Sequence, residues 1–185
     1  MSQHEPNRWK GFVLGAIGGA VGVVSMRYYW KAVQAITGSD PRTESHGTPD
    51  TDALDSISLI GTHHRESESS TAAVGRIAYQ AIMGKEPESQ ETKTMLSYLV
   101  HWILSMFMGG LYGAVRGEAG VPDVPGGLVL GIGLWLFGDE LAFPLLGVAR
   151  GPTAVPPVLH VHALGTHVPY GVVTAATTQF LQRVT

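Results

Sequence analysis

Apolar residues are not spread evenly along this chain. They gather into four long runs, separated by one long polar stretch and two short ones. The first run is "GFVLGAIGGAVGVVSM", Gly11 to Met26, followed by "RYYWK". The second is "MLSYLVHWILSMFMGGLYGAV", Met95 to Val115, and the third is "GGLVLGIGLWLFGDELAFPLLGV", Gly126 to Val148. The fourth is "VLHVHALGTHVPYGVVTAATTQF", Val158 to Phe180, entered through Pro156-Pro157. A hydrocarbon core about 30 Å thick takes about 20 helical residues to cross. Four buried helices of a water-soluble domain would each show a polar face at helical spacing. The first and third runs show none. Tyr28, Tyr29 and Trp30 beside Lys31 read as an aromatic belt at a membrane surface.

The pattern predicts an all-α integral membrane protein, a four-helix bundle. Its predicted parts are a polar N-terminus (1–10), spans at 11–34, 95–117, 125–149 and 157–182, a flexible acidic loop at 35–70, and an interfacial helix with linker at 71–94. No small-x-small cleavage site follows the first run, so it reads as a retained anchor rather than a signal peptide. Four spans place both termini on one side, taken as the cytoplasmic side of a bacterial inner membrane. Lys and Arg flank both sides of the spans about equally and give this orientation little support.

Within the polar stretch, "STAAVGRIAYQAIMGK" changes character. Val74, Ile77, Ala78, Ala81 and Ile82 recur at i, i+3, i+4, i+7 and i+8, one apolar face of a helix. Ser69 or Ser70 is suited to cap its start and Gly84 to end it. A helix in the membrane interface fits this pattern; so does a helix packed over the loop. His63-His64 reads as a solvated pair.

Composition adds exclusions. None of the 185 residues is cysteine, so disulfides, thiolate nucleophiles and Cys-ligated metals are absent. Net charge is −3 with neutral histidines, and no basic stripe points to nucleic acid. No serine lies in a nucleophile-elbow motif, and nothing marks an enzyme.

Glycines recur every fourth residue: Gly11, Gly15 and Gly19 in the first run, Gly109, Gly113 and Gly117 in the second, Gly127 and Gly131 in the third. In lipid such stripes let helix backbones approach closely. Gly15, Gly19 and Arg27 are spaced like Gly127, Gly131 and Asp139, and "LYGAV" at 111–115 resembles "PYGVV" at 169–173. This predicts a 2+2 internal repeat.

The polar exceptions inside the runs are the candidate chemistry. Counted along each helix from its loop end, Asp139, Glu140 and His167 come to about 12–14 Å deep. His101 enters from the same side, His160 and His162 lie nearer the surface, and Arg27 follows about 24 Å of helix from the opposite side. A charge inside a bilayer must be paired, hydrated or neutralised. Arg27, His101, Asp139, Glu140, His160 and His167 are therefore expected to form a polar intramembrane cluster. Asp139 and Glu140 diverge by about 100° on an α-helix, so only one can face a given point. Pro144 lacks the N–H that would bond the Glu140 carbonyl, and is expected to kink the helix. Three readings of the cluster stand: polar cross-links between helices, a proton or small-ion pathway, and haem or metal ligation through His101, His160, His162 and His167. No cofactor is otherwise expected.

The motifs at His101, Ser105, Gly109 and Tyr112-Gly113, then Trp135, Asp139, Glu140, Pro144 and Gly147, then His167, Tyr170 and Gly171 resemble the YagU-like family of bacterial inner-membrane proteins of unknown function. The leading histidine of the third motif falls at Ala163, with His162 one position earlier. The resemblance implies a small integral membrane protein without an assigned chemistry. A structural or accessory role follows as the expectation, in a homo-oligomer or a larger membrane complex, with a proton-coupled pathway as the alternative.

Overall fold

The computed structural model describes residues 7–42, 54–66, 68–116 and 123–185. Residues 1–6, the loop stretches 43–53 and 117–122 (with Gly117), and Ser67 lie outside them. Among the described residues all regular structure is helical: α1 (Arg8–Thr37), a 3₁₀ turn (Asp55–Ile57), α2 (Ser70–Met83), α3 (Gln90–Val115), α4 (Val124–Leu145) and α5 (Pro157–Val184). Helices α1, α3 and α4 are long and apolar enough to cross a membrane by length and composition, the signature of a membrane protein. The fourth run forms α5, 28 residues long, but α5 is not among these three. The reason lies in its inner face. Thr166, Thr174, Thr178 and Gln179 are buried, whereas Val161 and Phe180 are exposed.

Local sequence sets the helix ends. The Asn7 side chain accepts from the Lys10 N–H at the start of α1, and Gly38 closes it at φ 76°. Ser69 accepts from the Ala72 N–H at the start of α2, and Gly84 ends it at φ 70°.

The chain divides into two compact units. The first comprises 1–42, 104–134 and 162–185, and glycine holds it together. A Cβ on Gly15 would overlap the Gly109 carbonyl and lie 2.9 Å from the Gly113 Cα; one on Gly109 would overlap the Gly15 carbonyl. Gly11 meets Gly113 and Gly19 meets Ser105, so α1 and α3 run antiparallel here. On another face of α1, Gly18 and Gly22 receive Thr178 and Thr174 of α5. Gly127 and Gly131 of α4 receive Gly171 and the His167 backbone of α5, again antiparallel. Close backbone approach gives extensive dispersion contact and Cα–H···O contacts where no hydrophobic force acts between helices. Tyr170, 1 % exposed, fills the middle with Val23 and Met26 and donates its hydroxyl proton to the Ser105 carbonyl at 2.6 Å.

The second unit comprises 43–103 and 135–161. Here α2 rests on the start of α3. Gly75 lies against Leu96, and the Thr71 and Ser97 hydroxyls bond at 2.9 Å. The buried face of α2 is Ala73, Gly75 and Arg76. The apolar face read from the sequence points outward instead: Ala78 and Ala81 are exposed and Ile82 is 81 % exposed. Burial of Arg76 is made tolerable by a bidentate pair with Glu68, two bonds of 2.9 Å, and a 2.5 Å bond to the His63 carbonyl.

Candidate functional site

Helix α4 changes geometry along its length. From Leu134 to Ala142 the backbone is a π-helix. An i→i+5 register admits one more residue per ring than an α-helix and is concentrated at functional sites in proteins. Pro144 lies just past this segment and has no N–H to return to the helix, which removes one bond that would hold the α register. Where a kink was expected, the helix carries a widened π segment that ends two residues before Pro144. Wider turns bring the directions of neighbouring side chains closer than the 100° of an α-helix. Both Asp139 and Glu140, inside the π segment, are half-buried.

Glu140 meets His160 at the start of α5. Its Oε1 lies 2.6 Å from His160 Nδ1. His160 Nε2 lies 3.1 Å from the Pro152 carbonyl and 3.1 Å from the Val155 carbonyl. Carbonyl oxygens only accept, so Nε2 carries a hydrogen. The tautomer is thereby set, and Nδ1 faces the Glu140 carboxyl across the 2.6 Å contact. The same unit holds the Trp135 indole Nε1 buried, with no acceptor among the described residues.

A strap of chain secures the end of α4. The Leu145 carbonyl accepts from the Leu59 N–H at 2.7 Å, and the Gly147 carbonyl accepts from the His63 and His64 N–H groups at 2.7 and 2.8 Å. The Leu145 carbonyl is one of those that a helix end leaves without an intrahelical partner. Gly147 has φ 70°, and the Gly61 carbonyl occupies the space a Cβ would need. The histidines read as solvated, His63 and His64, therefore have a backbone role: His63 is exposed and His64 half-buried.

The remaining residues expected in the cluster are placed as follows. His101 is half-buried on α3, in the same unit as Glu140 and His160. Arg27 and His167 belong to the first unit. Arg27 is exposed on α1. His167 Nδ1 lies 2.8 Å from the Ala163 carbonyl one turn back on its own helix. His162 bonds the Tyr29 hydroxyl through Nδ1 at 3.0 Å and lies against the Trp30 ring. Tyr29 packs over Gly165, where a side chain would collide with its ring. Among the described residues no group of three or more His, Asp or Glu side chains is placed to hold a metal ion.

One polar centre escaped the sequence reading. Asp123, 8 % exposed, caps α4 by accepting from the Gly126 N–H at 3.0 Å. It also accepts from the Tyr112 hydroxyl at 2.7 Å and from Arg116 through two bonds of 2.6 Å, and its own N–H donates to Gln179 Oε1 at 2.7 Å. The Arg116 guanidinium, opposed by burial and aided by the Tyr112 hydroxyl and the Gly126 amide, holds the Asp123 carboxyl at about 2. The available signal was an Asp directly before Val-Pro-Gly-Gly, an N-cap followed by proline in the first turn.

No protein-family model, curated protein or solved structure matches the chain.

Proposed function

We propose that this chain is a small four-span protein of the bacterial inner membrane with a structural or accessory role, as a homo-oligomer or within a larger complex. The observation that carries the reading is the inverted distribution of its side chains. Val13, Ile17, Val21, Phe107, Val129 and Phe137 face outward, each more than 40 % exposed, while Thr174, Thr178, Gln179 and Ser105 are buried. A water-soluble fold buries the first kind and exposes the second; a fold surrounded by lipid does the reverse at little cost. The same inversion in α5 supports counting it as the fourth span despite its hydroxyl-lined inner face.

The 2+2 repeat gains support from contacts. Gly15 and Gly113 of the first hairpin correspond to Gly127 and Gly171 of the second, and each pair is in direct backbone contact. The corresponding tyrosines, Tyr112 and Tyr170, are both buried and hydrogen-bonded. The resemblance to YagU-like proteins agrees with this reading. Asp123, Glu140 and Arg76 all bond to other parts of the chain, which favours cross-linking as the main use of its polar groups.

A second reading rests on the 2.6 Å contact between Glu140, inside the π segment, and His160 of α5: a carboxyl–imidazole relay, as a proton-coupled pathway uses. Glu140→Gln separates the two. A structural pair predicts a lower melting temperature in detergent or release of a co-purifying partner. A proton pathway predicts an unchanged melting temperature with loss of proton flux in liposomes. Unchanged stability, assembly and flux together would refute both.

A further inference from the structure

We infer that α2 lies in the plane of the membrane, with Val74, Ile77, Ala78 and Ala81 seated in the boundary between headgroups and acyl chains. The inference rests on the membrane reading above and adds the partner of a helix that the spans do not account for. Three observations within one unit point to it.

The first is crossing geometry. Thr71 and Gly75, a full turn apart on α2, meet adjacent residues of α3, Ser97 and Leu96. Four residues of progress along one helix match one residue along the other, so the two axes cross steeply. A helix that crosses a membrane-spanning helix steeply runs along the membrane.

The second is depth. The 26 residues of α3 rise about 39 Å, roughly 9 Å more than a hydrocarbon core. Its first five residues, Gln90 to Thr94, are polar or charged, so the surplus belongs at that end. Leu96 and Ser97 then stand about 10 Å from the helix start, at the hydrocarbon edge.

The third is which face is covered. Arg76 turns toward Glu68 and the His63 carbonyl, so on this polar side α2 is tied to the chain that precedes it. On the helical wheel, Ala78 and Ala81 fall opposite that side, and both are exposed. On α3, next to the residues that meet α2, the apolar side chains of Met95, Tyr98 and Leu99 are exposed as well. An amphipathic helix at this depth, tied to the chain on its polar side and open on its apolar side, is matched by the acyl–headgroup boundary.

The chain lacks cysteine, so single-cysteine probes report cleanly. Ala81→Cys and Gln80→Cys are neighbours about 100° apart around the helix, and both sites are exposed. Each is labelled with a fluorophore in full-length protein reconstituted into phosphatidylcholine vesicles, with and without brominated acyl chains. Ile103→Cys on α3 reports insertion of the span itself. The expected result is about twofold or greater quenching at positions 81 and 103, and reaction of Gln80→Cys with a charged thiol reagent about tenfold faster than Ala81→Cys. Quenching at 103 but not at 81 overturns the inference and leaves the membrane reading standing. Quenching at neither overturns the membrane reading as well. Efficient disulfide formation between copies through Ala81→Cys assigns this face to a second copy and overturns the inference.

Discussion

Replacing Gly15 with alanine adds one methyl group at a close backbone contact between α1 and α3. The new carbon would overlap the Gly109 carbonyl oxygen and stand 2.9 Å from both the Cα and the N of Gly113. Carbon atoms at rest sit about 3.5–4.0 Å apart, so α1 and α3 must part by roughly 1 Å. No flexible side-chain end is available to give way, because every atom met belongs to backbone. Overpacking of this kind costs about 1–3 kcal/mol. Gly133 supplies the internal control. It is also helical, yet a Cβ there would meet nothing within 4 Å. Gly133→Ala therefore gains only helix propensity, about 0.8–1 kcal/mol in favour of the fold. The two alanine variants should differ by about 2–4 kcal/mol, which corresponds to a melting-temperature gap on the order of 5–15 °C for a chain of this size. Thermal unfolding in one detergent, followed by tryptophan fluorescence and by loss of the monodisperse chromatographic peak, measures the gap. Gly109→Ala alone should cost as much as Gly15→Ala. The double variant should cost less than the sum, because the first methyl has already separated the helices. Equal melting temperatures for Gly15→Ala and Gly133→Ala would refute the glycine-contact argument.

Three further expectations test other parts of the molecule. Asp123 has a folded carboxyl at about 2 against an ordinary value near 3.8; a depressed value stabilises above the unfolded pKa and is lost as pH falls, so about 1–2 kcal/mol should disappear between about pH 4 and pH 2, after allowing for screening of the half-exposed Arg116. Asp123→Asn should flatten that acid limb in a pH series of unfolding curves, and an unchanged limb would count against the network. Arg76→Leu strips Glu68 and the His63 carbonyl of a shared buried donor; it should cost about 3 kcal/mol and speed amide exchange at His63 and His64, and protection equal to the unmodified protein would refute the strap's anchoring. If histidines ligate haem, protein purified from cells supplied with haem absorbs in the Soret region; the structural reading expects a colourless preparation.

Helix positions were largely legible because apolar runs and capping residues are local features. Ser69 and Gly84 bracket α2 in the sequence as they do in the structure. The glycine stripes of α1, α3 and α4 announced close contact, but nothing local tells Gly15 that Gly109 is its partner. The inner face of α5 was harder to read. Thr174 and Thr178 are fully buried against Gly22 and Gly18, yet hydroxyls carry no more pattern than a loop would. In the candidate site, the acidic pair was visible as an exception within an apolar run, and so was a histidine on the next span as its companion. The π register was not, because "LWLFGDELA" has ordinary helical propensities and the widening depends on where hydrogen bonds close. The strap was invisible for a related reason. Leu59, His63 and His64 act through backbone N–H groups, which every residue but proline owns. Asp123 was passed over because attention to charges inside apolar runs ignores the charge that begins one.

Counting α5 as a membrane span is the step on which the topology turns, since three spans separate the termini and four bring them together. Single cysteines at Asn7, Ile60, Thr153 and Thr185, probed from outside intact spheroplasts with a charged thiol reagent, decide it. Four spans with the termini inside predict that Ile60→Cys and Thr153→Cys are labelled while Asn7→Cys and Thr185→Cys are protected until the membrane is opened. Labelling of Thr185→Cys from the same side as Ile60→Cys would contradict the account.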